Sequence, residues 1–276
     1  MLQLWSKHDD SSRRSFVRSV QQDDLAAALL ALDGADVDRI ERCDALLDDW
    51  AELLCNLVHP DDARQCADGL RRILVRQLSF RGDVDDYYSP DNVHLTRVIE
   101  RRRGMPILLS AVWIEVGRRA GIEMHGIGMP GHFIARVGGA DGLLVDPFSG
   151  GCRITVKQCA SIVGRLSGSA LPWNDAYLDP MTCDAIVERV IRNLMQAYRR
   201  RGDTAGLYRT ARMHAALRPN DAEAQLLHAC LADEAGAYRL AASLYESIAS
   251  DFAGTKEAKV AGRRYRPALR RAARVH

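Results

Sequence analysis

His132 and Asp146, in the run PGHFIARVGGADGLLVDPFSGG at 130–151, are the residues of this chain best placed to do chemistry. The histidine opens one apolar, alternating stretch and the aspartate ends the next. An imidazole oriented by a carboxylate takes a proton from a nucleophile and later returns it to a leaving group, which is the orienting half of an acyl-transfer triad. The nucleophile gains most at a helix N-terminus, where the dipole and free N–H groups lower a thiol pKa and bind an oxyanion. The helix expected from Pro106 fits that third place. The same pair also fits a structural reading, in which a buried histidine bonded to an aspartate fixes the relation of two strands.

Two further constellations belong to the same neighbourhood. The loop YYSPDNVHL carries Tyr88 and Asn92. Asn92 is expected to cap the helix that follows and, with Tyr88, to border the cleft of His132. Arg101, Arg102 and Arg103 stand just before Gly104, and they read either as positive charge at that cleft's mouth or as a cationic last turn favoured by the helix dipole. A zinc site from His125, His132 and Asp146 has no recognised ligand spacing, and no metal or cofactor is expected. His125 reads as a surface residue.

The elements that must position these groups are legible in outline. Helical spacing runs from Gln21 to Phe80, with Asp36 or Asp38 and Asp61 where N-caps belong and Pro60 separating two helices. MPILLSAVWIEVGRRA, from Met105 to Ala120, is apolar around most of its circumference, begins on a proline and is followed by Gly121, which predicts a centrally buried helix. Three candidate strands follow, IEMHGIGM, HFIARV and GLLVDPF, separated by Pro-Gly and by GGADG. Helices followed by a short sheet give an α+β domain ending near residue 170. Beyond it the pattern is helical again, and aligning Gly202 with Gly236 gives a 34-residue period with Leu207 matched to Ala241, Ala211 to Tyr245, and breaks at Pro219 and Gly254. The domain boundaries read as 1–80 for an N-terminal helical region, 81–172 for the α+β core, 180–255 for the repeats and 256–276 for a basic tail.

Composition narrows the class. The 276 residues carry 38 lysines and arginines against 36 aspartates and glutamates, so net charge gives no global argument for nucleic acid or membrane. The exception is the tail KEAKVAGRRYRPALRRAARVH, which is +7 and leaves −5 for the rest. It reads as a solvated or helical basic segment, with a nucleic-acid arm as the alternative. Neither a secretory leader nor an apolar run of membrane length is evident, so the expectation is a cytoplasmic protein with no membrane association. Seven scattered cysteines without a C-x-x-C pair support neither a disulfide framework nor a zinc ribbon. Cys55, Cys66 and Cys152 are expected to be buried thiols.

The motifs GMPILLS, PGHF and VDPF with its following Gly-Gly, together with the upstream YYSPDNVHL, resemble those of the SirB-type family. That resemblance covers about residues 75–155 and extends through the repeats to roughly 255. It implies a transglutaminase-like core of the papain-like cysteine protease type with N-terminal helices, followed by all-α tetratricopeptide-like repeats. It also implies where the nucleophile belongs. Counting back from the turn at Gly121 to the place of the cysteine in such enzymes lands on Pro106. Proline supplies neither a thiol nor an N–H.

Two other side chains stand nearby as candidates. Ser110, one turn further along the helix, reads as a packing residue bonded to a carbonyl of the preceding turn or as a substitute nucleophile. Cys152 is the other candidate thiol. The functional expectation is a non-catalytic protein-interaction or regulatory module whose repeats hold a protein partner. The alternative is an amide-directed hydrolase or acyltransferase using His132 and Asp146 with an unorthodox nucleophile.

Overall fold

The computed structural model of the chain describes residues 7–167 and 171–274. The first residues of the N-terminal stretch, the Gly-Ser-Ala at 168–170 and the last two residues of the basic tail lie outside them. The chain divides into two compact units, Met1–Val190 and Ile191–His276.

The first unit opens with α1 (Lys7–Gln21), α2 (Leu25–Asp33) and α3 (Val37–Cys55), the first beginning well before the helical spacing read from the sequence. Aspartates start the next helices: Asp24 accepts from Ala27 N–H, and Asp36 from Arg39 N–H. Each satisfies a backbone donor that the first turn leaves free. At α4 (Ala63–Leu70) the cap is Asp62, accepting from the Arg64 and Gln65 N–H groups, rather than Asp61. The shift is one residue because the cap must precede the first residue with helical backbone angles. α4 then widens into a π-helical stretch, Arg71–Gln77.

A two-residue strand β1 (Arg81–Gly82) pairs in parallel with β2 (Arg103–Gly104), and between them lie a 3-10 turn, Pro90–Asn92, and α5 (Leu95–Arg101). Residue His94 occupies the cap position of α5, and no side chain of its own turn caps the helix. The donors are met from a distance. The buried Asp33 carboxylate, at the end of α2, accepts from Leu95 N–H at 3.1 Å and Thr96 N–H at 2.7 Å, and lies 3.0 Å from His94 Nδ1. Asp33→Ala should therefore cost about 2 kcal/mol, since it removes a cap and strands buried donors. Urea unfolding measures this, and a midpoint equal to wild type would show that water replaces the carboxylate.

α6 (Pro106–Arg119) is the central helix. Every residue from Pro106 to Gly117 is buried, as its all-round apolar sequence predicts, and it packs against α3 and against the sheet. Gly121 takes the left-handed conformation (φ 76°) after it. The sheet has the order β6-β5-β4-β3-β7, every pairing antiparallel. Its strands are β3 (Met124–Ile127), β4 (Ile134–Val137), β5 (Leu143–Asp146), β6 (Cys152–Arg153) and β7 (Pro180–Met181). The three strands read from the sequence are thus present but shorter. The edge strand β7 comes from beyond α7 (Val156–Ser167), later than the point near residue 170 where the sequence pattern ends the domain. Ile127, Met129, Ile134, Cys159 and Val163 form the core between sheet and α7.

α8 (Cys183–Arg201) contains the division between the units. The second unit continues with α9 (Thr204–Leu217), α10 (Ala222–Glu234), α11 (Tyr238–Asp251) and α12 (Lys256–Arg274). α9 and α11 begin 34 residues apart, as do α10 and α12, so the sequence period is also a period of helix starts. Leu207, Ala211, Ala241 and Tyr245 are all buried. The basic segment is helical: α12 buries Ala258, Ala261, Ala268 and Ala272 and packs on α11. Among the described residues no helix is long and apolar enough to cross a membrane.

Candidate active site around His132 and Asp146

The approach to the site is set by the turn between β3 and β4. Gly131 adopts φ 75°, and His132 N–H donates to the Met129 carbonyl, which places the imidazole just before β4 begins. Asp146 is the last residue of β5. The β4–β5 register pairs Ala135 with Val145, which brings the start of β4 beside the end of β5. Across that junction His132 Nε2 lies 2.9 Å from Asp146 Oδ2, both side chains buried.

Asp146 is the more heavily engaged partner. Its Oδ1 accepts from the N–H groups of Phe148 and Ser149, at 3.0 and 3.2 Å, and its Oδ2 accepts from Ser149 Oγ at 2.8 Å. Burial alone would raise this carboxyl, but the bonds from His132 and Ser149 outweigh it and hold the pKa below the usual carboxylate range. Asp146 is therefore the anion that orients the imidazole. With Nε2 committed to it, Nδ1 is the nitrogen left over, and it has no hydrogen-bond partner among the described residues.

The first turn of α6 holds no side chain that such an imidazole could activate. Pro106 is the first helical residue, buried, with Met105 as cap. Ser110 is fully buried, and its Oγ points to the Phe133 carbonyl at 3.5 Å, at the limit of a hydrogen bond. Its partner thus lies on the strand side rather than in the preceding turn. Cys152 is exposed rather than buried, because β6 is the sheet edge; the Arg71 guanidinium lies 3.8 Å from its sulfur and donates to the Gly150 carbonyl. Cys55 is likewise exposed, off the face of α3 that buries Cys43, Leu47, Trp50 and Leu54, whereas Cys66 is buried.

The loop of residues 83–92 is organised by Asn92, which does not cap α5. Its amide donates to the Asp86 and Tyr87 carbonyls at 2.8 and 3.3 Å, its side-chain oxygen accepts from Arg101, and its backbone carbonyl accepts from Met105 N–H. A fully buried side-chain amide must meet all of its donors and acceptors, and a net across the loop does that where a cap would not. The net ties the loop directly to the first turn of α6. Tyr87 reaches the site: its ring packs edge-on against Phe148 at 5.9 Å, and Phe148 packs edge-on against His132 at 6.2 Å. Tyr88 touches Tyr87 and is about two-fifths exposed, at 41%. Phe148 fits only because residue 82 is glycine; a Cβ there would fall 2.6 Å from the ring.

The three arginines separate. Arg101 pairs with the buried Asp83 at 2.9 Å, Arg102 turns inward with its guanidinium 4.4 Å from the Trp50 ring and 5.0 Å from Phe80, and Arg103 lies 3.8 Å from the exposed Asp85. Arg102 is thus a packing cation. His125 pairs with Glu123 at 2.9 Å on the solvent side of β3, away from the His132–Asp146 bond. Among the described residues no group of three potential metal ligands is assembled.

The cation that does reach the site is Arg189, on α8. Its Nη2 donates to the carbonyls of Met129 and His132, both at 2.9 Å, and its guanidinium stacks over Phe133. Burial holds its pKa below the ordinary arginine value. It fixes both ends of the turn that presents the imidazole. Nothing in the local sequence signals this, because 57 residues separate Arg189 from His132.

The fold is thus α+β, with a histidine–carboxylate pair joining adjacent strands of a sheet that packs against a central helix. The description "Transglutaminase-like superfamily" matches residues 41–192, more than half of the chain, and the protein belongs to that family. A UPF0162 protein of Xylella fastidiosa is 39% identical over 133 residues, 47% of each chain. A UPF0162 protein of Pseudomonas aeruginosa is 34% identical over 145 residues, 51% of this chain and 53% of its own. Human F-box only protein 21 is 29% identical over 147 residues, which are 50% of this chain and 22% of that one. The chain spans about half the length of the bacterial relatives it matches. No solved structure matches it.

Proposed function

We propose that this is a non-catalytic member of the transglutaminase-like superfamily that acts in the cytoplasm as a protein-interaction or regulatory module, its helical second unit serving as tetratricopeptide-like repeats that hold a protein partner. The observation that carries the reading is Pro106 at the first position of α6, where an acyl-transfer enzyme of this design needs a thiol. The 34-residue interval between helix starts in the second unit supports the repeat reading. In this reading Asp146, His132 and Arg189 fix the β3–β4 and β5–β6 turns, and Tyr88 and Arg103 border a binding face, with the buried Asn92 holding the loop that carries Tyr88. No cofactor is required.

A second reading keeps the chemistry. The unengaged Nδ1 of His132 favours it, with Ser110, Cys152 or a water as nucleophile toward an amide. Incubating the purified full chain with a fluorescent activated-acyl probe separates the two. The expected outcome is no labelling that depends on His132, and equal background in wild type and His132→Ala. Labelling that His132→Ala abolishes would overturn the non-catalytic reading.

A further inference from the structure

The helix α12 carries cations that neither the fold nor the proposed function uses. Lys256, Lys259, Arg263, Arg266, Arg270 and Arg274 are all exposed and follow one another at intervals of three or four residues. At 100° per residue they fall within a sector of about 80°, on the side opposite the buried Ala258, Ala261, Ala268 and Ala272. The row is about 27 Å long at 1.5 Å per residue. Two arginines of the same helix outside this sector are spent on structure: Arg271 pairs with Asp233, and Arg264 bonds Tyr245. The outward ones are not. Lys256 meets Glu257 of its own helix at 3.4 Å, and the other five have no ionic partner among the described residues.

The surrounding charge points the same way. Residues 191–276 hold sixteen lysines and arginines against eight aspartates and glutamates, a net +8 in a chain whose total is +2. Residues 1–190 are accordingly −6. The sector itself contains no aromatic or aliphatic side chain. A protein interface needs such an anchor at its centre, and a helix seated in a lipid surface needs a continuous apolar face; α12 buries its alanine face against α11, and its exposed Val260 and Leu269 lie outside the sector on separate sides of the helix. A single file of cations without anchors suits a ligand that is itself a single file of anions.

We propose that the outward face of α12 binds the phosphate backbone of nucleic acid without reading its sequence. Each cation that meets a phosphate releases a condensed counterion, so the affinity carries a salt signature set by the number of contacts. The test uses the full chain and a labelled 30-base-pair DNA duplex of mixed sequence, titrated between 50 and 200 mM salt. With five or six contacts, the slope of log K against log salt should be about −5, and affinity should fall about a thousandfold across that range.

Substituting Lys259, Arg263, Arg266 and Arg270 together by Gln should reduce the slope to between about −1 and −2, and weaken binding at 50 mM salt at least 100-fold. All four are exposed, so the helical signal in circular dichroism and the urea midpoint should be retained. A second duplex of unrelated sequence should bind equally. Absence of binding at 50 mM salt would overturn the proposal, as would a slope unchanged by the four substitutions. So would binding to anionic phospholipid vesicles or to polyglutamate with no binding to the duplex.

Discussion

Asp146→Ala is expected to destabilise the first unit by about 3 to 4 kcal/mol, the loss for removing a buried charged acceptor that serves several donors at once. The carboxylate meets His132, two backbone N–H groups and the Ser149 hydroxyl. Alanine leaves the imidazole buried against Phe148 with no acceptor for Nε2, and leaves the turn after β5 without the group that folds it back. Asp146→Asn keeps the shape and one acceptor oxygen, so it should lose less than half as much. Urea unfolding of the three proteins at pH 7 gives the comparison. Asp146 titrates low because its bonds favour the ionised form. Its folded pKa lies below its unfolded one, so its contribution is complete above about pH 4 and is lost as pH falls through the folded value. The gap between wild type and Asp146→Ala should therefore narrow in acid. A gap that is small at pH 7, or constant down to pH 2, would mean that the pair is not holding the turn.

That prediction rests on residues found in the sequence, whereas the groups that hold them in place were only partly legible there. His132 and Asp146 announced themselves because each sits at a boundary between an alternating run and a turn, where period-two spacing stops and a polar residue must find a partner. α6 was legible for a related reason: a helix apolar on all sides, started by proline and stopped by glycine, has only one place to go. The 34-residue period is also a period of helix starts because a helix start is a local event, and a left-handed glycine, Gly202 or Gly236, stands two residues before α9 and α11.

What escaped notice depends on chain-distant partners. Two-residue strands such as β1, β2 and β7 carry no period, and their pairing is fixed by what packs around them. Asp33 caps α5 from 62 residues away, so local capping rules assigned the role to Asn92, which burial instead drives to satisfy a whole loop. Arg102 looked like surface charge and is a packing residue over Trp50, because its left-handed conformation (φ 57°) turns it out of the helix it ends. Cys55, in a helical pattern, and Cys152, at the start of a strand, are exposed where the sequence predicts burial. A cysteine resembles a core residue until its position on the helix or at the sheet edge is known.

The second large effect concerns Glu115, a carboxyl buried within α6 whose pKa burial pushes up to about 7. The arginines one turn along the helix ease this less than proximity suggests. Arg119 Nε lies 4.0 Å from the Glu115 carboxylate, but its other nitrogens are held by Asp44 at 2.5 Å and Asp48 at 2.7 Å, so most of its charge is already answered. Arg118 lowers the pKa, whereas Asp24 and Asp44, from the neighbouring helices, raise it, and the Cys183 thiol faces the same region. The folded state thus prefers the protonated acid, and its pKa lies above the unfolded value near 4.5. Between those two pH values the unfolded chain ionises while the folded one keeps its proton, so stability falls as pH rises and the full penalty is present above about pH 7. A shift of this size corresponds to roughly 3 kcal/mol. Glu115→Gln, which cannot ionise and keeps the volume, should match wild type near pH 4 and exceed it by roughly that amount at pH 8. Thermal or urea unfolding at a series of pH values distinguishes this from a packing effect, which would shift both ends of the range alike. If the two stability curves run parallel from pH 4 to pH 8, Glu115 is ionised in the folded protein and Arg118 and Arg119 neutralise it after all.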